Sequence, residues 1–155
     1  SWNMKKLLAI IVLGLLFTNN LSAKIVFRVI CEAPQGKGVG ASTNTVDNKT
    51  RYDGFKDDGY PDNDVIELIY DNNNPNQIQR IWGKDNESIK LDAYNEHFYH
   101  WRLFKPNYAN GFYWGDWSFS LPDLMMIWTK GFTSKDGLGS GITSTTLYSK
   151  CKRIN

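Results

Sequence analysis

The two cysteines of this chain each lie in a segment of alternating side chains, one near each end of the sequence. Cys31 belongs to the alternating run at 25–32 and Cys151 to the run at 144–151, and a period of two predicts β-strands. A disulfide would hold the two Cα atoms within about 7 Å of each other. A bridged pair therefore makes the first and last strands neighbours, as in a meander that closes into a barrel or a sandwich.

The first segment is typical of a secretory signal. Residues 5–23 contain two lysines, an unbroken run of 11 apolar residues and a polar stretch that ends in Leu-Ser-Ala. This order is that of a signal peptide, whereas a membrane-spanning helix needs about 20 apolar residues. We expect a signal peptide at 4–23, a single β domain at 24–155, a periplasmic or secreted location, and no stable membrane anchor after cleavage.

Export also bears on the cysteines, because an oxidising compartment converts a pair of thiols into a disulfide. Only one pairing, Cys31 with Cys151, is available. In the chain-entropy model, closing a loop of this length stabilises the fold by on the order of 4–5 kcal/mol. Two free thiols or a metal thiolate pair are the alternatives.

The chain after the signal shows short apolar runs separated by turn residues and no sustained 3.6-residue period. This pattern predicts an all-β fold, an antiparallel up-and-down barrel or sandwich of about eight strands. Residues 33–63 are rich in Gly, Asn, Asp and Thr, which predicts a long loop with one short strand near 50–52. Residues 105–111 are expected to form a loop, and 121–130 could form a short helix.

Charge excludes one class of function. Without Lys5 and Lys6 the chain has 16 basic and 16 acidic residues, and a general nucleic-acid binder needs a basic surplus. Residues 47–71 hold eight acids and three bases. The loop at 57–64 looks like part of a thrombospondin type 3 calcium repeat, but its spacing does not fit an EF-hand, and a solvated turn is the alternative.

The sequence offers no catalytic or metal-binding motif. His97 and His100 are three residues apart, which places them on opposite faces of a strand and argues against a shared metal ion. The segment Gly137–Gly141 contains a serine but lacks the G-x-S-x-G spacing of a nucleophile elbow. We therefore predict no catalytic residue, no metal and no cofactor.

Aromatic density is the most unusual property of the chain. Residues 94–119 contain 11 aromatic side chains, more than one core face of two adjacent strands needs. Four side chains of this region could form a ligand-binding surface: Tyr99, Trp101, Arg102 and Trp114. Ordinary core packing is the alternative, because strand periodicity does not say which face is buried.

The chain resembles small uncharacterised secreted proteins of Gram-negative bacteria. The likeness lies in Ile25–Arg28 with Cys31, in Ile69–Asp71, in Ile81–Gly83 and in Thr146–Cys151. It implies no activity. A looser likeness, in Ile127–Gly131, is to the periplasmic inhibitors of C-type lysozyme. Their Ser-Gly-containing inhibitory loop precedes that segment, whereas Gly139-Ser140-Gly141 follows it here, so no functional residue is carried over.

These observations predict an exported, non-catalytic binding protein that uses an aromatic-rich surface or pocket. Its partner would be a small molecule, a glycan or a protein, and not a nucleic acid. The first alternative is a secreted glycan-acting hydrolase with carboxylates from Asp92, Glu96 or Asp116, since glycosidases use a carboxyl pair. The second is a periplasmic inhibitor of a host or competitor enzyme.

Overall fold

The computed structural model describes residues 25–155, which form strands and turns. The predicted signal peptide at 4–23 lies outside the described residues. The strands are β1 (Ile25–Cys31), β2 (Gln35–Asn44), β3 (Thr50–Gly59), β4 (Ile66–Asp71), β5 (Gln77–Trp82), β6 (Asp85–Lys90), β7 (Ala93–Tyr94), β8 (Phe98–Tyr108), β9 (Gly111–Ser120), β10 (Met125–Lys135) and β11 (Gly139–Arg153). The all-β prediction is confirmed, but the predicted count of about eight strands is wrong, because the described chain has 11.

All the strands belong to one antiparallel sheet with the main order β6-β5-β4-β1-β11-β10-β9-β8-β7, and β2 pairs with β11 and β3. The end strands β6 and β7 are separated along the chain only by Leu91 and Asp92. The N–H groups of these two residues donate to the carbonyls of Asn76 and His100. The sheet therefore curls around its core as a half-barrel.

The last strand, β11, organises the sheet because its 15 residues pair with two strands along one edge. Cys31 of β1 lies opposite Cys151, and Gln35 of β2 lies opposite Tyr148. The other edge of β11 pairs with β10. The predicted disulfide between Cys31 and Cys151 is present and joins the first strand to the last.

The core occupies the end of the sheet that contains β1, β4 and β5, and aromatic rings fill much of it. Trp117 stacks between Trp101 and Trp128, with ring-centroid distances of 5.8 and 4.0 Å. The buried residues of this core are Phe27, Val29, Cys31, Ile66, Leu68, Tyr70, Ile78, Leu91, Tyr99, Trp101, Trp117, Phe119, Met126, Trp128 and Leu147.

Beyond the core the sheet continues as a region we call the wing, which consists of the β2–β3 hairpin and the adjoining halves of β8 to β11. The loop predicted at 33–63 is wrong here, because most of it is this hairpin. Glycines occupy one face of β2 at Gly36, Gly38 and Gly40. A Cβ atom at Gly36 would lie 1.9 Å from the carbonyl oxygen of Thr146, so close approach of the backbones requires glycine.

Two further expectations fail at the turns. Residues 121–124 form a turn in which Leu124 has a positive φ of 49°, and β10 begins at Met125, so the possible helix at 121–130 is absent. The loop expected at 105–111 is instead the end of β8, a two-residue turn and the start of β9. That turn consists of Ala109 and Asn110, whose φ angles of 48° and 57° are those of a type I′ hairpin.

Ala109 in this turn provides a test of the hairpin. An alanine in the left-handed region costs about 1–2 kcal/mol, and glycine avoids that cost. We expect Ala109→Gly to raise the free energy of unfolding by about 1 kcal/mol, measured by urea denaturation. A loss of stability would show that the turn has a different conformation.

Candidate functional site

The four side chains predicted to bind a ligand do not share a surface. Tyr99 and Trp101 are core residues, exposed by only 2% and 1%. Arg102 and Trp114 lie on the opposite, outer face of the same two strands, because side chains alternate along a strand. The structure therefore separates the set into two core rings and two outer-face side chains.

A large cleft lies on the outer face, beside these strands. Its volume is ≈ 560 Å³, within the range of small-molecule sites. Its walls are mostly apolar, and polar groups lie along them at a few positions. The lining residues are Ala93, Tyr94, Asn95, Phe98, Tyr99, His100, Ser118, Phe119, Ser120, Asp123, Met125 and Ile127.

The cleft results from the alternation of three neighbouring strands. Along β8, β9 and β10 the side chains alternate between the core and the outer face. Those on the outer face include Phe98, Ser118 and Ile127. The turn before β8 forms one wall. There the side-chain oxygen of Asn95 accepts 2.8 Å hydrogen bonds from the N–H groups of His97 and Phe98. Exposed apolar side chains are thus held on a rigid sheet.

A fixed polar group borders the cleft at His100. Its Nδ1 lies 3.0 Å from Oγ of Ser118, and its Nε2 lies 3.0 Å from Oδ1 of Asp116. A carboxylate only accepts, so in the neutral imidazole Nε2 carries the hydrogen and Nδ1 accepts from the serine hydroxyl. The His100 ring is therefore held from both sides in one orientation.

This serine, histidine and aspartate arrangement favours recognition over acyl transfer. Acyl transfer needs N–H donors aimed at a developing oxyanion. Around Ser118 the backbone of β9 is paired with β8 on one edge and β10 on the other, so its amides are already used in the sheet. The hydroxyl oxygen of Ser118, which keeps a lone pair after donating to His100, can instead accept a hydrogen bond from a polar group of a ligand that enters the cleft.

The carboxylates considered for a glycan hydrolase are placed elsewhere. Asp92 Oδ1 lies 3.3 Å from the Arg102 guanidinium, and the hydrogen bond between them lowers the pKa of Asp92 and raises that of Arg102. Asp116 is next to His100, and Glu96 Oε1 lies 3.4 Å from His97. None of these three carboxylates lines the cleft. The geometry gives the hydrolase alternative no support.

A second apolar area on the outer face contains Trp114. Its ring lies over Gly131, where a Cβ atom would be 2.0 Å from the indole. Phe112 lies between Trp114 and Phe104, with ring-centroid distances of 5.7 and 5.8 Å. This aromatic row belongs to the wing and is separate from the cleft.

The acidic segment predicted as a loop at 57–64 begins within β3, and cations of the chain itself pair with two acids of that strand. Asp57 Oδ1 lies 3.5 Å from the amine of Lys37, and Asp58 Oδ2 lies 3.6 Å from that of Lys130. Between residues 25 and 155 no group of three or more His, Cys, Asp or Glu side chains could hold a metal ion. No helix in that same range is long and apolar enough to cross a membrane.

Comparison with known proteins adds no relative: no family model, curated protein or solved structure matches this chain. The outer-face cleft was missed from the sequence, because its walls come from separate strands whose register the sequence did not reveal. The alternation of Phe98, His100 and Arg102 with core residues was the available signal.

Proposed function

We propose that the protein is an exported binding protein whose outer-face cleft takes an apolar group of a small molecule. The observation that carries the proposal is the cleft of ≈ 560 Å³ with its apolar walls. Tyr94, Phe98 and Ile127 are all substantially exposed there. Clustered exposure of apolar surface around a concave site is typical of ligand-binding sites.

The polar groups at the cleft define the rest of the ligand. Ser118 lines the cleft, and its hydroxyl oxygen can accept a hydrogen bond from a ligand while the hydroxyl donates to Nδ1 of His100. A few placed polar groups in an apolar site fix the orientation of a ligand. We expect an aromatic ring or short acyl chain that carries a hydroxyl or amide group.

Location outside the cytoplasm is part of the same proposal. It is supported by the Cys31–Cys151 disulfide, because such bonds persist in oxidising compartments. The basic and apolar pattern at 4–23 supports it independently. We expect a periplasmic or secreted site of action.

The chain offers a matched pair of isoleucines to test the cleft. Ile127 on β10 lines the cleft and Ile142 on β11 lies in the wing, with exposures of 45% and 50%. We expect Ile127→Asp to weaken binding of 1-N-phenylnaphthylamine, an uncharged apolar fluorophore, by about tenfold or more, since a carboxylate in an apolar site is costly. Fluorescence titration gives the Kd of each variant.

Ile142→Asp is the control and should keep the Kd within about twofold, because a change far from the site leaves its contacts intact. Thermal unfolding checks that both variants fold. Absence of fluorophore binding to the unmodified protein, or equal loss in both variants, would contradict the proposed site.

A further inference from the structure

The ends of the hairpins that form the wing meet at one pole of the molecule. These are the turns at 45–49, 109–110 and 136–138. The N–H of Thr45 donates to the carbonyl of Leu138 over 2.9 Å, and the N–H of Lys135 donates to that of Ala109 over 3.4 Å. We call these three turns together the tip. The first described residue, Ile25, pairs with Asp71 at the opposite pole.

The tip exposes apolar side chains that cover nothing in the described chain. Val46 is 85% exposed and Leu138 is 71% exposed. Just behind them, one cross-strand row of the outer face carries Phe112, Ile142 and Tyr52, which are also exposed. The register of the row is set by the pairs Thr133 with Ile142, Ile142 with Ala41, and Ala41 with Tyr52, and by the hydrogen bond from the N–H of Phe112 to Thr133.

The charges around the tip are mostly positive. Lys49 and Lys135 lie in or next to the turns, and Lys105 lies further back, on β8 opposite Tyr113. No described carboxylate lies within ion-pair distance of their amines. The acids nearby are already engaged. Asp47 is paired with Arg51 at 2.7 Å, and Asp136 accepts hydrogen bonds from the N–H groups of its own turn.

We propose that the tip is a peripheral docking surface for an anionic lipid bilayer. Apolar side chains beside unpaired cations are the composition that binds at a membrane interface, with the apolar groups entering the headgroup region and the cations contacting anionic lipids. The row of Phe112, Ile142 and Tyr52 would lie at the headgroup level, where aromatic side chains are enriched. The tip would enter only the interfacial region of the bilayer, at the level of the lipid headgroups.

This surface is separate from the cleft, so the two proposals can fail independently. The test is co-sedimentation with vesicles of phosphatidylcholine and phosphatidylglycerol in equal parts, and with vesicles of phosphatidylcholine alone. We expect the protein to bind the anionic vesicles. Ile142→Asp and Leu138→Asp should each lower the partition coefficient by about tenfold, since an apolar side chain is lost and an anion is added.

Ile127→Asp is the matched control and should bind the vesicles as the unmodified protein does, although it loses the fluorophore. Ile142→Asp should show the reverse result. Absence of vesicle binding by the unmodified protein would overturn the proposal, as would equal losses in Ile127→Asp and Ile142→Asp. Binding that 0.5 M salt abolishes and that Leu138→Asp leaves unchanged would also overturn it, because it would be electrostatic adsorption without apolar insertion.

Discussion

Replacing Trp101 by alanine is expected to lower the free energy of unfolding by about 3–5 kcal/mol, the usual cost of removing a large buried aromatic ring. The ring is 1% exposed and stacks on Trp117 at 5.8 Å. Trp117 in turn stacks on Trp128. Removing Trp101 would therefore leave a cavity at one end of this three-ring stack, and a small shift of the neighbouring rings could not fill it. Urea denaturation, followed by far-ultraviolet circular dichroism, measures the loss.

Trp114→Ala is the control for the same residue type on the other face of the sheet. Trp114 is partly exposed and rests on Gly131, so its removal should cost under about 2 kcal/mol. If Trp101 and Trp114 both belonged to the ligand-binding surface predicted from the sequence, either change would remove binding with little effect on stability. For Trp101 the structure reverses the second part of that expectation. A Trp101→Ala protein as stable as the unmodified one would show that Trp101 is not a core residue.

Removing the disulfide should have an effect of similar size. The bond joins residues separated by 120 positions, and cross-linking so long a loop restricts the unfolded chain by on the order of 4–5 kcal/mol in the chain-entropy model. We expect the double variant Cys31→Ala and Cys151→Ala to lose about that much stability. Thermal and urea unfolding, each with and without dithiothreitol, provide the measurement.

The reductant distinguishes the stability contributed by the disulfide bond from that contributed by the packing of the two cysteine side chains. Dithiothreitol should destabilise the unmodified protein and leave the double alanine variant unchanged. Because Cys31 is buried, alanine is preferred to serine, which would bury an unpaired hydroxyl. A reduced protein that unfolds at the same urea concentration as the oxidised one would contradict the predicted contribution.

The core half of the fold could be predicted because burial imposes an alternating pattern there. Phe27, Val29 and Cys31 alternate with exposed or half-buried residues along β1. The wing could not be predicted in this way, because no core covers its faces. Its strand β2 has glycine where a core strand has apolar side chains, at Gly36, Gly38 and Gly40. Glycine at alternate positions is itself a period of two. However, glycine is also typical of turns, so the composition of this segment predicts a loop instead of a strand.

The cleft depended on two facts that a single sequence does not contain. The first is which face of β8 is buried, because Tyr99 and Trp101 alternate with Phe98 and His100 and either pair could have been the inner one. The second is the register of β8 against β9, which is set by the turn at Ala109 and Asn110 together with a register shift in β8 between Lys105 and Tyr108. A loop at 105–111, as the sequence predicts, gives no register for β8 and β9 and so does not place His100 opposite Ser118.

The position of β11 affects how the chain can fold. Strand β1 pairs with β4 on one edge and with the last strand, β11, on the other. Strand β2 also pairs with β11 along one of its edges. Contacts of such high contact order form slowly, because a long loop must close before they are made. During synthesis the hydrogen-bonding edges of β1 and β2 stay open until the C-terminal residues arrive, and open edges promote aggregation. We therefore expect a chain of this topology to be most prone to aggregation before β11 is complete.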